Sequence, residues 1–164
     1  MKIRKYILAA LAASTALTLG ACSGGSPSSS DSSGPGNERP NVSFDDIQRE
    51  YQNSIAQLSW PKGFNPPATL EGEDKSAHFQ TGYGDTRASM VFECAWSQTW
   101  LDTYATDKAT ADTALKELEK VPSMGYMSKE HADDNTRRIF KENLDKAKLG
   151  DPSGIQDNVS VNCD

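Results

Sequence analysis

The sequence is poor in the residues that hold transition metals and in the positive charge that nucleic-acid binding requires. Its 164 residues include two histidines and three cysteines, and His78 and His131 are far apart in the chain. A transition-metal site normally needs several such ligands at short spacing, so we predict no metal. Acidic residues outnumber basic residues by 23 to 17, which is unfavourable for binding a polyanion. We therefore expect neither a metal ion nor a nucleic acid as a partner.

Motifs for nucleotide binding and nucleophilic catalysis are also missing from the sequence. The stretch Gly82-Tyr83-Gly84-Asp85 precedes an expected helix, but no Gly-Lys-Ser/Thr follows it, and Asp85 would repel a phosphate. There is no Gly-x-Ser-x-Gly motif. The adjacent carboxylates Asp133 and Asp134 lack the differing environments that acid and base roles require. We assign no catalytic residue and no cofactor, and a non-enzymatic role is favoured.

The first 21 residues have the composition of a secretory leader. Lys2, Arg4 and Lys5 are followed by an apolar run over residues 7–19 and then by small residues. This run is too short for a comfortable membrane span. A basic start, an apolar centre and small residues at the end are typical of a signal peptide. We predict that residues 1–21 are a leader that is removed.

The leader ends in Leu19-Gly20-Ala21-Cys22, which resembles the lipobox of bacterial lipoproteins. In that family the cysteine receives a diacylglyceryl group and becomes the mature N-terminus. The resemblance implies that Cys22 bears lipid, with fatty acids such as palmitate, and anchors the protein on the extracytoplasmic face of the cell membrane. Two acyl chains suffice for stable anchoring, whereas one gives only marginal binding. An ordinary signal peptide followed by an unrelated cysteine is the alternative.

Residues 22–42 are predicted to be the lipidated cysteine and a disordered tether. Residues 23–41 are rich in Ser, Gly and Pro and contain no large apolar side chain, so nothing in them can drive folding. About 20 flexible residues reach on the order of 25 Å, enough to hold a small domain clear of the head groups. Such a leader and tether are similar to those of lipoproteins from high-GC Gram-positive bacteria. Residues 43–164 remain for one domain, in which no motif indicates a family.

The periodicity of the domain predicts a mainly α-helical fold, a small bundle of about four helices with an extended tail. From Phe44 to Leu58 apolar residues recur every three or four positions behind an N-cap at Ser43. The stretch from Asp85 to Tyr104 is the most apolar of the mature chain. We expect it to be the central, most buried helix, capped by Asp85. Its predicted inward-facing residues are Met90, Val91, Cys94, Leu101 and Tyr104.

Two further helices are predicted after the central one. Asp107 begins a helix that Pro122 ends, and the usual length of helices disfavours one unbroken helix from Thr86 to Val121. Ser128 begins a last helix that ends at Leu149. The residues that we expect to face inward from this last helix are Ala132, Ile139, Phe140, Leu144 and Ala147.

The remaining segments are less regular. Residues 61–84 show no strong period, although Ser76 to Thr81 could be a short extended piece. We expect this segment to be packed onto the helices by Trp60, Phe64 and Leu70. Asn158 to Cys163 alternates like a strand but has no obvious partner strand. We predict an extended strap across the helices.

If Cys22 carries lipid, Cys94 and Cys163 are left in an oxidising compartment and can pair in only one way. We predict that this disulfide ties the tail to the central helix. It should be structural, because no Cys-x-x-Cys spacing indicates redox activity.

The aromatic residues are the only material in the sequence from which we can predict a ligand site. Trp60, Trp96 and Trp100 could form a shallow aromatic groove for a sugar, peptide or lipid tail. Packing of these residues in the core is the alternative, in which each indole N–H still needs a hydrogen-bond partner.

The sequence therefore favours a non-enzymatic, membrane-anchored lipoprotein whose domain binds another protein or ligand of the cell envelope. A small-ligand-binding accessory of a transporter or sensor is the first alternative. A cell-wall hydrolase is the second, although no catalytic residue supports it.

Overall fold

The computed structural model describes residues 41–163, which fall within one compact unit spanning residues 37–164. The predicted leader, Cys22 and nearly all of the tether lie outside the described residues. The described chain contains five α-helices, and the prediction of a mainly α-helical domain is confirmed. The elements in chain order are β1 (Asn41–Val42), α1 (Phe44–Gln57), β2 (Phe79–Gln80), α2 (Tyr83–Thr103), α3 (Lys108–Leu118), two 3-10 helices (Val121–Ser123 and Gly125–Met127), α4 (Asp134–Lys148) and α5 (Ser153–Asn162). None of the helices within residues 41–163 combines the length and the apolar character needed to cross a bilayer.

Helix α1 begins where the sequence predicts. Ser43 and Asp46 form a capping box, in which the Ser43 hydroxyl oxygen accepts a hydrogen bond from the Asp46 amide and the Asp46 carboxylate accepts one from the Ser43 amide. The predicted apolar stripe faces a small core between α1 and α2. The buried members of this core are Ile47, Tyr51, Leu70 and Ala88.

Trp60 and Leu70 hold the irregular segment after α1 against the helices, as predicted, whereas Phe64 is 38% exposed. Trp60 stacks on Phe64, and Leu70 is buried. The Gln48 side-chain oxygen accepts a hydrogen bond from the Leu70 amide at 2.9 Å. The segment ends in β2, which pairs antiparallel with β1, so that a short strand does form where an extended piece was expected.

Helix α2 is the central helix, as predicted, and it contacts α1, α3, α5 and the second 3-10 helix. Its buried face is not the predicted one. The buried residues are Gly84, Ala88, Ser89, Phe92, Glu93, Ala95, Trp96, Ser97 and Trp100. The residues predicted to face inward are instead half-buried or exposed, namely Met90, Val91, Cys94, Leu101 and Tyr104. Because several elements cover α2, its buried face is wide and includes small and polar residues.

The predicted cap of α2 is wrong. The helix begins at Tyr83 behind Gly82, whose φ of 90° lies in the left-handed region that glycine adopts without steric cost. The Asp85 carboxylate accepts a hydrogen bond from the Ser54 hydroxyl at 2.7 Å instead of capping the helix. Asp85 therefore links α2 to α1.

Glu50 of α1 supplies the missing cap. Its carboxylate accepts hydrogen bonds from the amides of Gly82 at 3.0 Å and Gly84 at 3.1 Å. The two helices approach this closely because Gly84 has no side chain; a Cβ at this position would lie 2.0 Å from the carbonyl oxygen of Ile47. The glycine-rich start of α2 thus binds an internal carboxylate.

Helix α3 begins at the predicted cap, since the Asp107 carboxylate accepts from the Thr110 amide at 3.1 Å. It ends at Leu118, before the predicted position, and Pro122 lies inside the first 3-10 helix. This short helix accommodates proline in its first turn, where no helical partner for its nitrogen is needed.

The predicted start of α4 at Ser128 is also wrong. Asp133 is the N-cap, and its side chain accepts from the Thr136 amide at 2.7 Å. Ala132 is buried but precedes the helix, and Ile139 is 42% exposed. The two 3-10 helices occupy the chain that a longer α4 would have needed. Leu144 and Ala147 are buried as predicted, and Phe140 packs against the main core.

The C-terminal tail is a helix and not the predicted extended strap. Helix α5 packs against α4 and α2, with Ile155 buried and Val159 against the main core. A strand without a partner would leave its backbone amides unpaired, whereas a helix pairs them within the segment. The alternation of Val159 and Val161 therefore reflects one inward and one exposed helical position.

Candidate ligand-binding cleft

The three tryptophans predicted to line a ligand groove are packed among the helices. Trp96 and Trp100 are buried and Trp60 is half-buried against the same core. The Trp96 indole N–H donates to the Ser59 carbonyl at 2.9 Å, and that of Trp60 donates to the Ile55 carbonyl at 3.0 Å. None of the three lines either of the two large clefts within residues 41–163. Their positions fit the alternative of core packing.

The predicted disulfide between Cys94 and Cys163 is present, with the two Cα atoms 5.6 Å apart. It joins the middle of α2 to the residue that follows α5. The end of α5 is thereby held against α2, and the bridge lies beside the cleft described next.

A cleft of about 490 Å³ opens between α2, the second 3-10 helix, α4 and α5. We call it the Glu93 cleft, after the carboxylate that lines it. Its volume lies in the range of small-molecule sites. The apolar side chains that line it are Met90, Met127, Ala132, Ile139 and Phe140. The polar and titratable ones are Glu93, Tyr126, His131, Asp133, Thr136, Asn143, Asn158 and Asn162.

Glu93 is the buried polar group of this cleft. It lies on α2 and is 9% exposed. One carboxylate oxygen accepts a hydrogen bond from the Asn158 side-chain amide on α5 at 2.7 Å, and the other accepts from the Tyr126 hydroxyl in the second 3-10 helix. Three elements that are distant in sequence therefore meet at one carboxylate.

Burial changes the acid–base properties of this group. Removal from water raises the pKa of Glu93, and the hydrogen bonds from Tyr126 and Asn158 oppose that rise. Burial and the neighbouring Glu93 carboxylate raise the pKa of Tyr126. The Tyr126 hydroxyl therefore remains a hydrogen-bond donor to Glu93.

The lining of the cleft carries carboxylates and neither lysine nor arginine. No basic side chain within residues 41–163 forms an ion pair with Glu93. The other carboxylate of the lining, Asp133, caps α4. Hydrogen bonds at this cap lower the pKa of Asp133, and the nearby Arg137, outside the lining, lowers it further. His131 Nδ1 lies 2.7 Å from the Gly125 carbonyl oxygen. In the described part of the chain, no cluster of three or more acidic, histidine or cysteine side chains could hold a metal ion.

A second groove of about 800 Å³ lies between α2 and the segment 61–67. Three residues line both this groove and the Glu93 cleft and so separate the two cavities, namely Met90, Cys94 and Asn162. Its polar lining residues are half-buried or exposed. We assign no ligand to this groove.

The sequence patterns did not predict Glu93, Tyr126 or Asn158 as site residues. A signal for Glu93 was present, because it is a lone carboxylate within Phe92-Glu93-Cys94-Ala95-Trp96, in the most apolar stretch of the mature chain. Such a residue is costly to bury unless it has hydrogen-bond partners. Tyr126 and Asn158 gave no comparable signal, since they lie in a turn and in the tail.

Comparisons of the chain with protein-family models, with curated proteins and with solved structures find no match. The candidate site therefore rests on the geometry and chemistry of the Glu93 cleft.

Proposed function

We propose that this protein is a lipid-anchored binding module on the extracytoplasmic face of a bacterial cell membrane, and that it takes a small ligand into the Glu93 cleft. The proposal rests above all on one observation: a buried carboxylate, held by donors from two other elements, lines an open cavity of ligand size.

The anchoring part of the proposal is supported by the sequence. The apolar leader, the lipobox-like segment ending in Cys22 and the Ser/Gly/Pro-rich residues after it agree with one another. The Cys94–Cys163 bridge adds support, because disulfides persist in oxidising compartments outside the cytoplasm.

A small ligand is favoured over a protein partner by the dimensions of the cleft. A cavity of about 490 Å³ suits a small molecule, whereas a stable protein interface needs an extended complementary surface. Binding of a small ligand agrees with the alternative role of an accessory to a transporter or sensor.

Binding is favoured over hydrolysis by the state of the carboxylates that line the cleft. Glycoside hydrolysis uses two carboxylates with separate roles, yet the Asp133 carboxylate caps α4 by accepting a hydrogen bond from the Thr136 amide. Both oxygens of Glu93 accept hydrogen bonds from the protein. This arrangement fixes Glu93 in place, as a recognition group requires.

Methionine methyl groups provide a direct test of ligand binding. Met90 and Met127 line the cleft and Met124 does not, so the three ¹³C-methyl resonances separate binding in the cleft from other effects. The protein would be titrated with a fragment set containing equal numbers of cationic, neutral and anionic compounds. We expect at least one charge class to shift Met90 and Met127 while Met124 stays unchanged.

Two tryptophan substitutions provide a matched control for this titration. Ile139→Trp should fill the mouth of the cleft and abolish the shifts, whereas Leu149→Trp, at a position 88% exposed and outside the cleft, should preserve them. The absence of shifts at Met90 and Met127 with fragments of every charge would contradict the binding function.

Mass spectrometry of the protein purified from its native membrane tests the anchor. We expect a mature chain that begins at Cys22 and carries a diacylglyceryl group. An unmodified Cys22, or Cys22 bonded to Cys94 or Cys163, would refute lipid anchoring.

A further inference from the structure

We infer that the ligand of the Glu93 cleft is an organic cation: an ammonium group, held by Glu93, on a small apolar body. The inference rests on the proposed function, since it names the ligand class of the same site.

Glu93 has no positively charged partner among the described residues. It is 9% exposed. A buried carboxylate is costly to keep charged without a partner of opposite sign. Its two oxygens offer about four acceptor positions, of which Asn158 and Tyr126 use one each. An ammonium group would fill the remaining positions and neutralise the charge.

The lining of the cleft as a whole favours a cation. Glu93 and Asp133 contribute two carboxylates, and the lining contains neither lysine nor arginine. An anionic ligand would therefore meet repulsion and find no lysine or arginine in the lining to pair with. A cation is complementary to this cavity.

The cleft suits an organic cation better than a metal ion. Divalent metal ions need several oxygen or nitrogen ligands at short range, and the described residues contain no cluster of that kind. The rest of the lining includes Met90, Met127, Ile139 and Phe140. Methionine side chains adapt to varied apolar shapes, and an aromatic ring is compatible with a nearby ammonium. The cavity therefore suits an amine with an apolar body.

The test compares cations with neutral and anionic molecules of matched shape. The probes are butylammonium and 2-phenylethylammonium, the corresponding alcohols, and butanoate and 3-phenylpropanoate. Binding to the full chain is followed by the Met90 and Met127 methyl resonances at neutral pH. We expect the ammonium probes to bind at least about tenfold more tightly than the alcohols, the scale of one charge-assisted hydrogen bond. The carboxylates should give no saturable shift.

Glu93→Gln keeps the size of the side chain and removes its charge. It should weaken binding of the ammonium probes at least about tenfold and change binding of the alcohols by less than about twofold. Asp112→Asn is the matched control, because it removes the same charge from α3, outside the cleft. It should leave every affinity unchanged.

The pH profile of the wild-type protein gives a second measurement that needs no variant of Glu93. Since burial raises the pKa of Glu93, affinity for the ammonium probes should fall as the pH is lowered through that raised value, whereas affinity for the alcohols should not. Tyr126, His131 and Asp133 are the other titratable groups that line the cavity. Hydrogen bonds to the Thr136 amide and hydroxyl lower the pKa of Asp133, and His131→Gln isolates any contribution from the histidine.

The possible outcomes separate this inference from the proposed function. If alcohols or carboxylates shift Met90 and Met127 as strongly as the ammonium probes, or if Glu93→Gln binds the ammonium probes with wild-type affinity, the inference fails and the binding function stands. If no probe of any charge shifts these resonances, both fail.

Discussion

At the scale of single residues, Glu93 is the position where stability and binding oppose each other. Burial disfavours its charged form, and hydrogen bonds from Tyr126 and Asn158 offset part of that cost. A protein without a use for this carboxylate would be more stable with an uncharged side chain there. Sites that perform a function commonly retain such a cost.

This cost predicts how stability depends on pH. The folded-state pKa of Glu93 is raised above its ordinary value of 4.5. At a pH below about 4.5 the residue is protonated in both states, so burial has no charge penalty. As the pH rises through the raised pKa, the unfolded state ionises more easily than the folded state. The wild-type free energy of unfolding should therefore fall, by about 1.4 kcal/mol for each unit by which the pKa is raised.

The measurement is urea unfolding of the wild type and Glu93→Gln over a range from about pH 4 to about pH 8. The difference between the two proteins should grow with pH in favour of the variant. Capping aspartates such as Asp107 and Asp133 have lowered pKa values, so they make the free energy of unfolding rise with pH. Both proteins contain these aspartates, so their contributions cancel when the two free energies are subtracted. A difference independent of pH would disprove the burial penalty.

At the scale of secondary-structure elements, the junction of α1 and α2 depends on Gly84, a residue without a side chain. Gly84 allows α1 to approach the start of α2, and Glu50 of α1 then caps the amides that α2 leaves free. Local sequence around α2 contains no cap of this kind, which is why Asp85 was the natural prediction. The packing of one helix thus completes the end of another.

Gly84→Ala is expected to disrupt this junction. Its Cβ would lie 2.0 Å from the Ile47 carbonyl oxygen and 2.7 Å from the Tyr51 amide nitrogen. Backbone atoms cannot move aside as flexible side chains can, so we expect a loss of about 3 kcal/mol or more in the free energy of unfolding. Gly125→Ala is the control, because the nearest atom to its Cβ would be Asp85 Oδ2 at 3.3 Å. Thermal unfolding of both variants gives the comparison, and equal melting temperatures would show that the helices can separate without cost.

At the scale of the whole molecule, the disulfide unites the end of the chain with its centre. Cys94 and Cys163 are 69 residues apart in sequence. Helix α5 directly precedes Cys163, and its Asn158 donates a hydrogen bond to Glu93. Without the bridge, α5 would be held by its contacts with α4 and α2 alone. Its release would remove one of the two donors to the buried carboxylate.

Reduction of the disulfide should lower stability by up to about 4 kcal/mol, the loop-entropy value for a loop of this length. We expect a lower urea midpoint in dithiothreitol. The Cys94→Ser/Cys163→Ser double variant should resemble the reduced wild type and be insensitive to reductant. Unchanged stability of a wild type whose thiols are shown to be free would argue that the bridge has no structural role.

The amino-acid sequence determined the features that depend on neighbouring residues. The capping box at Ser43, the period of α1 and the cap at Asp107 are recognisable because a helix start and an amphipathic face need only a few adjacent positions. The disulfide followed from counting three cysteines, once the lipobox-like segment set Cys22 apart. The helical fold class could therefore be predicted before any contact was known.

Tertiary structure decided the features that depend on which elements meet. The wide buried face of α2 admits Glu93 because α5 and the second 3-10 helix bring Asn158 and Tyr126 to it. Helix α5 has α2 and α4 to pack against, and a helix pairs its backbone amides within its own segment. Hydrogen bonds and burial between residues distant in sequence leave no mark in local periodicity, so the cleft could be found only in the folded chain.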